Sequence, residues 1–177
     1  MAQQIINIGT SNNSGDGEGL RTAFDKCNDN FTELYGATGY ESKYQATTQS
    51  LTASNNLITI VGTSDSNGSL TLLDSNGKVT PIQVNDVLSV DFGCVAVTPT
   101  GSDNYLHLKF VVNGEVYRAI THNLLKGSGN SDQISLSANM PVGSDFNTHG
   151  MEVYIETNVA FDISNKYISV VRTHKAR

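Results

Sequence analysis

The sequence predicts a mainly β protein: an antiparallel jelly-roll sandwich preceded by an extended N-terminal arm and one short heptad-patterned helix. Three observations predict it. Charged residues make up only 16% of the 177-residue chain; Asn, Ser, Thr and Gly, all poor helix formers, take their place. Apolar or alternating runs of strand length recur from about residue 57 onward, separated by turn dipeptides. A single stretch, Asp16 to Tyr35, carries a helical apolar period.

The first segment, residues 1 to about 15, opens with Ile5-Ile6-Asn7-Ile8-Gly9-Thr10 and continues in turn chemistry. So short a piece cannot hold itself in place, so it is expected to be mobile or docked. In the helix that follows, Leu20, Phe24, Cys27, Phe31 and Leu34 are spaced 4, 3, 4, 3, a heptad stripe that suits self-association. Asp16 is expected to cap its start, and Gly36 and Gly39 to stop it. Two heptads alone are marginal in water, so copies of the helix need something larger to hold them together. Residues 36–56 lack both a period and an apolar face, and read as an extended connector.

The head is expected over residues 57–177. Its strand candidates are Leu57–Val61, Leu70–Leu73, Val87–Val90, Tyr105–Val112, Glu115–Ile120, Gln133–Ser137, Met151–Glu156 and Tyr167–Arg172. Asn67-Gly68, Asn76-Gly77 and Asn113-Gly114 predict tight hairpins. Pro99, Gly101, Pro141 and Gly143 mark longer loops. Strands at this spacing, uninterrupted by helical patterns, imply a sandwich.

The same residues argue against several functions. Seventeen acidic against eleven basic residues, net −6, make a poor nucleic-acid wrapper. Cys27 and Cys94 form neither a disulfide framework nor a zinc motif. The start lacks a signal-peptide pattern, and no run reaches membrane length, so a soluble protein made in a cytoplasm and free of membrane is expected. His107, His122, His149 and His174 lie apart, with no partner at metal-ligand spacing. The stretches from Asp65 and Asp74 begin like calcium loops but lack the closing Glu. Gly127-Ser128-Gly129-Asn130-Ser131 is not a nucleophile elbow. No catalytic constellation, metal site or cofactor is expected, and the chain reads as a non-enzyme.

Residues 6–35, from Ile6-Asn7-Ile8-Gly9-Thr10 through Leu20-Arg21-Thr22-Ala23-Phe24 to Asn28-Asp29-Asn30-Phe31-Thr32-Glu33-Leu34-Tyr35, resemble a segment widespread in tailed-bacteriophage virion proteins. In outline that segment is I-N-x-G-T, a Gly/Asp-rich turn, L-R-x-A-F, then N-x-N-F-x-E-L-Y; Ser14 and Glu18 are slight departures from it. The family uses the segment as an attachment module at the start of fibres, whiskers and head-surface proteins. The resemblance implies that Ile5, Ile6, Asn7, Ile8, Gly9 and Thr10 contact other virion proteins, such as the major capsid protein. The closing runs Ser135–Val142, Met151–Ile155 and Tyr167–Arg172 are similar to the last strands of trimeric jelly rolls of the tumour-necrosis-factor or complement-head type. That similarity implies a homotrimer.

The expected function is therefore a trimeric structural protein on the surface of a tailed-phage virion, decorating or cementing the head. The alternative is a short tail fibre or receptor-binding tip. In that case loops Thr98–Asn104 and Gly143–Gly150, with Tyr105 or Phe146 stacking on sugar, would recognise a host-surface glycan.

Overall fold

The computed structural model describes residues 4–8, 10, 15–35, 39–67, 71–81, 83–97, 104–124 and 130–174. The expected features Gly9, Gly36, Gly68, Leu70, Pro99, Gly101, the loop residues 98–103 and 127–129, and the side chains of Leu34 and His174 lie outside this set.

Helix α1 (Leu20–Tyr35) is followed by strands β1 (Gly39–Gln45), β2 (Gln49–Leu51), β3 (Asn55–Leu57), β4 (Thr63–Asn67), β5 (Val87–Val97), β6 (Tyr105–Val112), β7 (Glu115–Asn123) and β8 (Ser131–Pro141). A short helix α2 (Ser144–His149) then leads to β9 (Glu152–Thr157) and β10 (Phe161–His174). One sheet has the order β4-β1-β10-β5-β8, with β2 also paired to β10; the other has the order β3-β9-β6-β7. Every strand pairing is antiparallel. The two sheets pack face to face as a jelly-roll sandwich.

Alternation fixes which face of each strand is inside. Leu88, Val90, Phe92 and Ala96 of β5 meet Leu106, Leu108 and Phe110 of β6, Ile134 and Met140 of β8, and Ile155 of β9 in one core. Burying each large apolar side chain contributes about 1.5–3 kcal/mol. Cys94 belongs to this core. Burial pushes its thiol up to about 12, with the Lys166 ammonium pulling the other way, so it behaves as a small hydrophobe. Strand β6 matches its expected bounds. The β6–β7 turn is the expected tight hairpin: Asn113 and Gly114 have φ of 51° and 81°, and Val112 pairs with Glu115.

The expected connector at 36–56 is corrected. Residues 39–45 form β1, inside the larger sheet, with Tyr40 paired to Val171 on one side and to Asn67 on the other. The reason is chemical. The inward positions of β1 are Glu41 and Lys43, both buried, so no apolar alternation marks the strand. Glu41 Oε2 accepts the N–H groups of Leu72 (2.6 Å) and Leu73 (2.8 Å), and Lys43 Nζ donates to the Asp74 carbonyl. The head therefore begins at Gly39 rather than at residue 57.

Other expectations shift as well. Of Leu57–Val61, only Leu57 is in a strand; Ile58 and Ile60 are buried in irregular chain. Leu73 makes an isolated bridge to Val79. That bridge encloses the expected Asn76-Gly77 turn, where Asp74 Oδ1 accepts from the backbones of Asn76 and Lys78. Ser64–Asn67, expected as a turn, lie in β4, an exposed edge strand without an apolar face. The stretch after Pro141, expected as loop, holds α2 and buries Phe146.

Strand β10 carries a bulge. Ser164 pairs with Val95 and Tyr167 with Gly93, leaving Asn165 and Lys166 opposite Cys94 alone. Asn165 takes φ 49°, a value that Asn tolerates. Lys166 turns inward and donates to Gln49 Oε1 and the Thr59 carbonyl, each at 3.0 Å. Burial holds its ammonium below the usual lysine range. Further along β10, Arg172 Nη2 sits 2.8 Å from Oδ1 and 2.7 Å from Oδ2 of Asp86, both side chains fully inside.

Breaking that last pair strands a buried guanidinium. Asp86→Ala is expected to lower unfolding free energy by about 3–5 kcal/mol. Urea titration should show a lower midpoint with an unchanged slope.

Candidate functional site

The N-terminal arm is neither loose nor free: it runs back along α1. Asn30 grips Gln4 at two points. The Gln4 N–H donates to Asn30 Oδ1 (3.0 Å), and Asn30 Nδ2 donates to the Gln4 carbonyl (2.9 Å). Gln4 Nε2 donates to Asp29 Oδ2 (2.8 Å). Lys26 Nζ donates to the Ile5 carbonyl (3.0 Å) and pairs with Glu18. The Glu18 N–H donates to the Asn7 carbonyl (2.9 Å), and Asn7 Nδ2 to the Asp16 carbonyl (3.3 Å).

Asp16 does not cap the helix. Its carboxylate accepts the Thr10 N–H (3.1 and 3.2 Å) and the Thr10 hydroxyl (2.7 Å). The helix instead opens at Gly19, whose carbonyl accepts the Ala23 N–H. The arm offers backbone donors within reach of Asp16, and they compete successfully with the helix end. Five of the expected attachment residues, Ile5, Ile6, Asn7, Ile8 and Thr10, thus lie together on this unit. Sequence reading missed the clamping roles of Asp16, Lys26 and Asn30, which no apolar period marks.

The described residues of the heptad stripe of α1 are largely exposed. Leu20 is 74% exposed and Phe31 57% exposed; Phe24 is exposed and Cys27 half-buried. None of the described side chains of α1 is buried. At about 100° per residue, Ala23, Lys26 and Asn30 lie roughly a quarter turn to one side of the stripe. The arm occupies that flank and leaves the stripe open.

The head presents a second uncovered surface. The register pairs Ile120 with Leu108 and Arg118 with Phe110, so these β7 residues share the inward face of the smaller sheet. Leu108 and Phe110 are fully buried, whereas Ile120 is 43% exposed and Val116 and Tyr117 are exposed too. The sandwich is open along this edge. Across it His122 Nε2 lies 3.6 Å from Asp132 Oδ2. At its end is a groove of about 340 Å³, lined by Val112, Val116, Tyr117, Pro141 and Phe146 among others.

The outward face of the larger sheet is different. Asp91 accepts from the Tyr167 hydroxyl (3.1 Å) and the Ser137 hydroxyl (2.5 Å). Tyr167 lies over Gly93, where an added Cβ would stand 2.3 Å from the ring. Burial, then Asp91, pushes the Tyr167 phenol up, which keeps it a neutral donor. Ser89, Ser135 and Ser169 extend the face. It is rich in small hydroxyl groups.

The described residues hold no group of three or more His, Cys, Asp or Glu placed to bind a metal. His107 bonds Thr121 (2.8 Å) and His149 the Asp145 carbonyl (3.1 Å). Phe146, expected to stack on sugar from an apical loop, is buried. Tyr105 packs on the His107 ring at 4.8 Å. Among the described residues no helix is long and apolar enough to cross a membrane.

No protein-family model and no curated protein matches the chain. Solved structures do match in fold. The Eiger TNF of S. frugiperda aligns with a TM-score of 0.51 at 9% identity, over 78% of this chain and 94% of that one. The PRD1 vertex protein P5 aligns with a TM-score of 0.50 at 14% identity, over 78% and 73%. The globular domain of zebrafish complement 1qA aligns with a TM-score of 0.44 at 14% identity, over 78% and 98%.

The arm clamp is directly testable. Asn30→Ala removes both bonds to Gln4 and is expected to raise amide exchange over residues 4–8 at least tenfold. The head strands should keep their protection in the same hydrogen-exchange experiment.

Proposed function

We propose that this chain is a non-enzymatic structural protein of a tailed-phage virion. It acts as a homotrimer on the particle surface, decorating or cementing the head, and docks through its arm–helix unit. The observation that carries this reading is the exposed apolar surface of β7. A sandwich that stays monomeric has no reason to leave Ile120 opposite the buried Leu108 yet exposed to water, with Val116 and Tyr117 exposed beside it.

A second copy supplies the cover. The β7 edge of one copy, with Val116, Tyr117 and Ile120 exposed, lies against the hydroxyl-rich face of the next copy's larger sheet. Edge and face are different surfaces, so the contact is head-to-tail and closes as a ring. Each fully covered aliphatic side chain contributes about 1.5–3 kcal/mol, repeated at every interface.

The head contact then brings three copies of α1 together. Tethering raises their local concentration, so a helix too short to associate alone can form its seam. The segment resemblance at residues 6–35 supports the virion role. So does a sandwich of the same fold in a protein described as a vertex protein. The major capsid protein is the natural surface for docking. The burial of Phe146 weakens the glycan-binding alternative.

Light scattering of the purified chain is expected to give three times the 19.0 kDa chain mass. Val116→Asp with Ile120→Asp should convert it to a folded monomer with unchanged strand content by circular dichroism. Particles lacking the protein should lose heat and osmotic resistance while still adsorbing to host cells. Unaltered resistance combined with lost adsorption would sink the cement role.

A further inference from the structure

We propose that each arm lies in the groove between its own helix and the helix of the next copy, with Ile5 and Ile8 packed on the neighbour's flank. The inference rests on the trimer reading above, and it assigns a contact that reading leaves open.

The argument is one of position around α1. With Phe24 and Phe31 at heptad position a, the residues Leu20, Cys27 and Leu34 take position d. Ala23 and Asn30 then fall at g, Lys26 at c, and Arg21 and Asn28 at e. The arm is bonded to Lys26, Asp29 and Asn30, so it covers the g and c flank. The e flank is bare: Arg21 and Asn28 are both exposed, and Arg21 makes no ion pair among the described residues.

A closed threefold ring cannot set like flanks together. The g flank of each parallel helix faces the e flank of the next. In this chain the g flank carries the arm, so the arm is what the neighbour meets.

The chemistry of the two sides fits. The arm turns its backbone toward its own helix, whose Asn30 and Lys26 bind the carbonyls of Gln4 and Ile5, while Glu18 just before the helix binds that of Asn7. Its apolar side chains face away: Ile5 is exposed, and Ile8 is 89% exposed. The neighbour offers the methylene stem of Arg21, which can cover an isoleucine while its guanidinium reaches arm carbonyls. Levels also match. Lys26 holds the Ile5 carbonyl, so Ile5 sits about two residues along the axis from Asn28, roughly 3 Å. The isoleucines thereby serve the trimer, which leaves the tip of the unit, around Thr10 and Asp16, for the virion surface.

The test is a disulfide across copies. The full chain carries Ile5→Cys and Asn28→Cys, with Cys27→Ala to remove the seam thiol. Within one chain the two positions lie on opposite sides of a helix about 10–12 Å across. That exceeds the roughly 7 Å Cα separation a disulfide can bridge. Mild oxidation should therefore give a covalent ladder ending at the trimer on a non-reducing gel. A protein that scatters light as a trimer yet runs as monomers after oxidation, with both thiols freely labelled, would overturn the inference and return Ile5 to virion docking. A monomer by light scattering would overturn the trimer reading and this inference together.

Discussion

The larger sheet has more strands than the smaller one can cover, and much of the architecture answers that mismatch. Irregular segments around residues 58–61, 71–81 and 83–86 fill the uncovered part. Chain without sheet partners carries backbone groups that cost free energy when buried unpaired. Charged side chains from the inward face of the larger sheet satisfy them. Glu41 takes the N–H groups of Leu72 and Leu73, Lys43 takes the Asp74 carbonyl, and Lys166 takes the Thr59 carbonyl. Arg172 fixes Asp86, whose carbonyl in turn accepts the Val142 N–H. Buried charge here is a device for pinning loops, and each partner is needed because an orphaned one would be costly.

The same mismatch leaves the other edge open. Edge strand β7 is exposed along nearly its whole length. One edge of the sandwich is thus sealed by charged side chains and irregular chain. The opposite edge leaves Val116, Tyr117 and Ile120 exposed. That asymmetry suits the proposed head-to-tail ring, in which edge and face are different surfaces. The N-terminal unit repeats the pattern on a smaller scale, with one flank of α1 covered by the arm and the stripe left for copies.

Much of the fold was legible from periodicity. Strand β6 and the cores of β5, β8, β9 and β10 follow their alternation, β7 lies where its run predicts a strand, and Asn113-Gly114 makes its hairpin. The failures share a cause. Strand β1 was hidden because Glu41 and Lys43 stand where alternation calls for apolar residues. The start of the helix was misplaced because Asp16 had a better partner in Thr10 than in the helix end. Strand β4 was hidden because all its residues are exposed and polar, so pairing with β1 alone holds it.

By itself, the sequence determined a β-rich chain of short alternating strands, one heptad helix and a motif-bearing arm, because local period and turn chemistry act over a few residues. The tertiary structure decided which surfaces remain uncovered. Exposure of Ile120 follows from its place on an edge strand that pairs with β6 alone in the strand order, and exposure of Ile8 from which flank of α1 the arm occupies. Both are relations between distant segments, so neither is written in any local pattern.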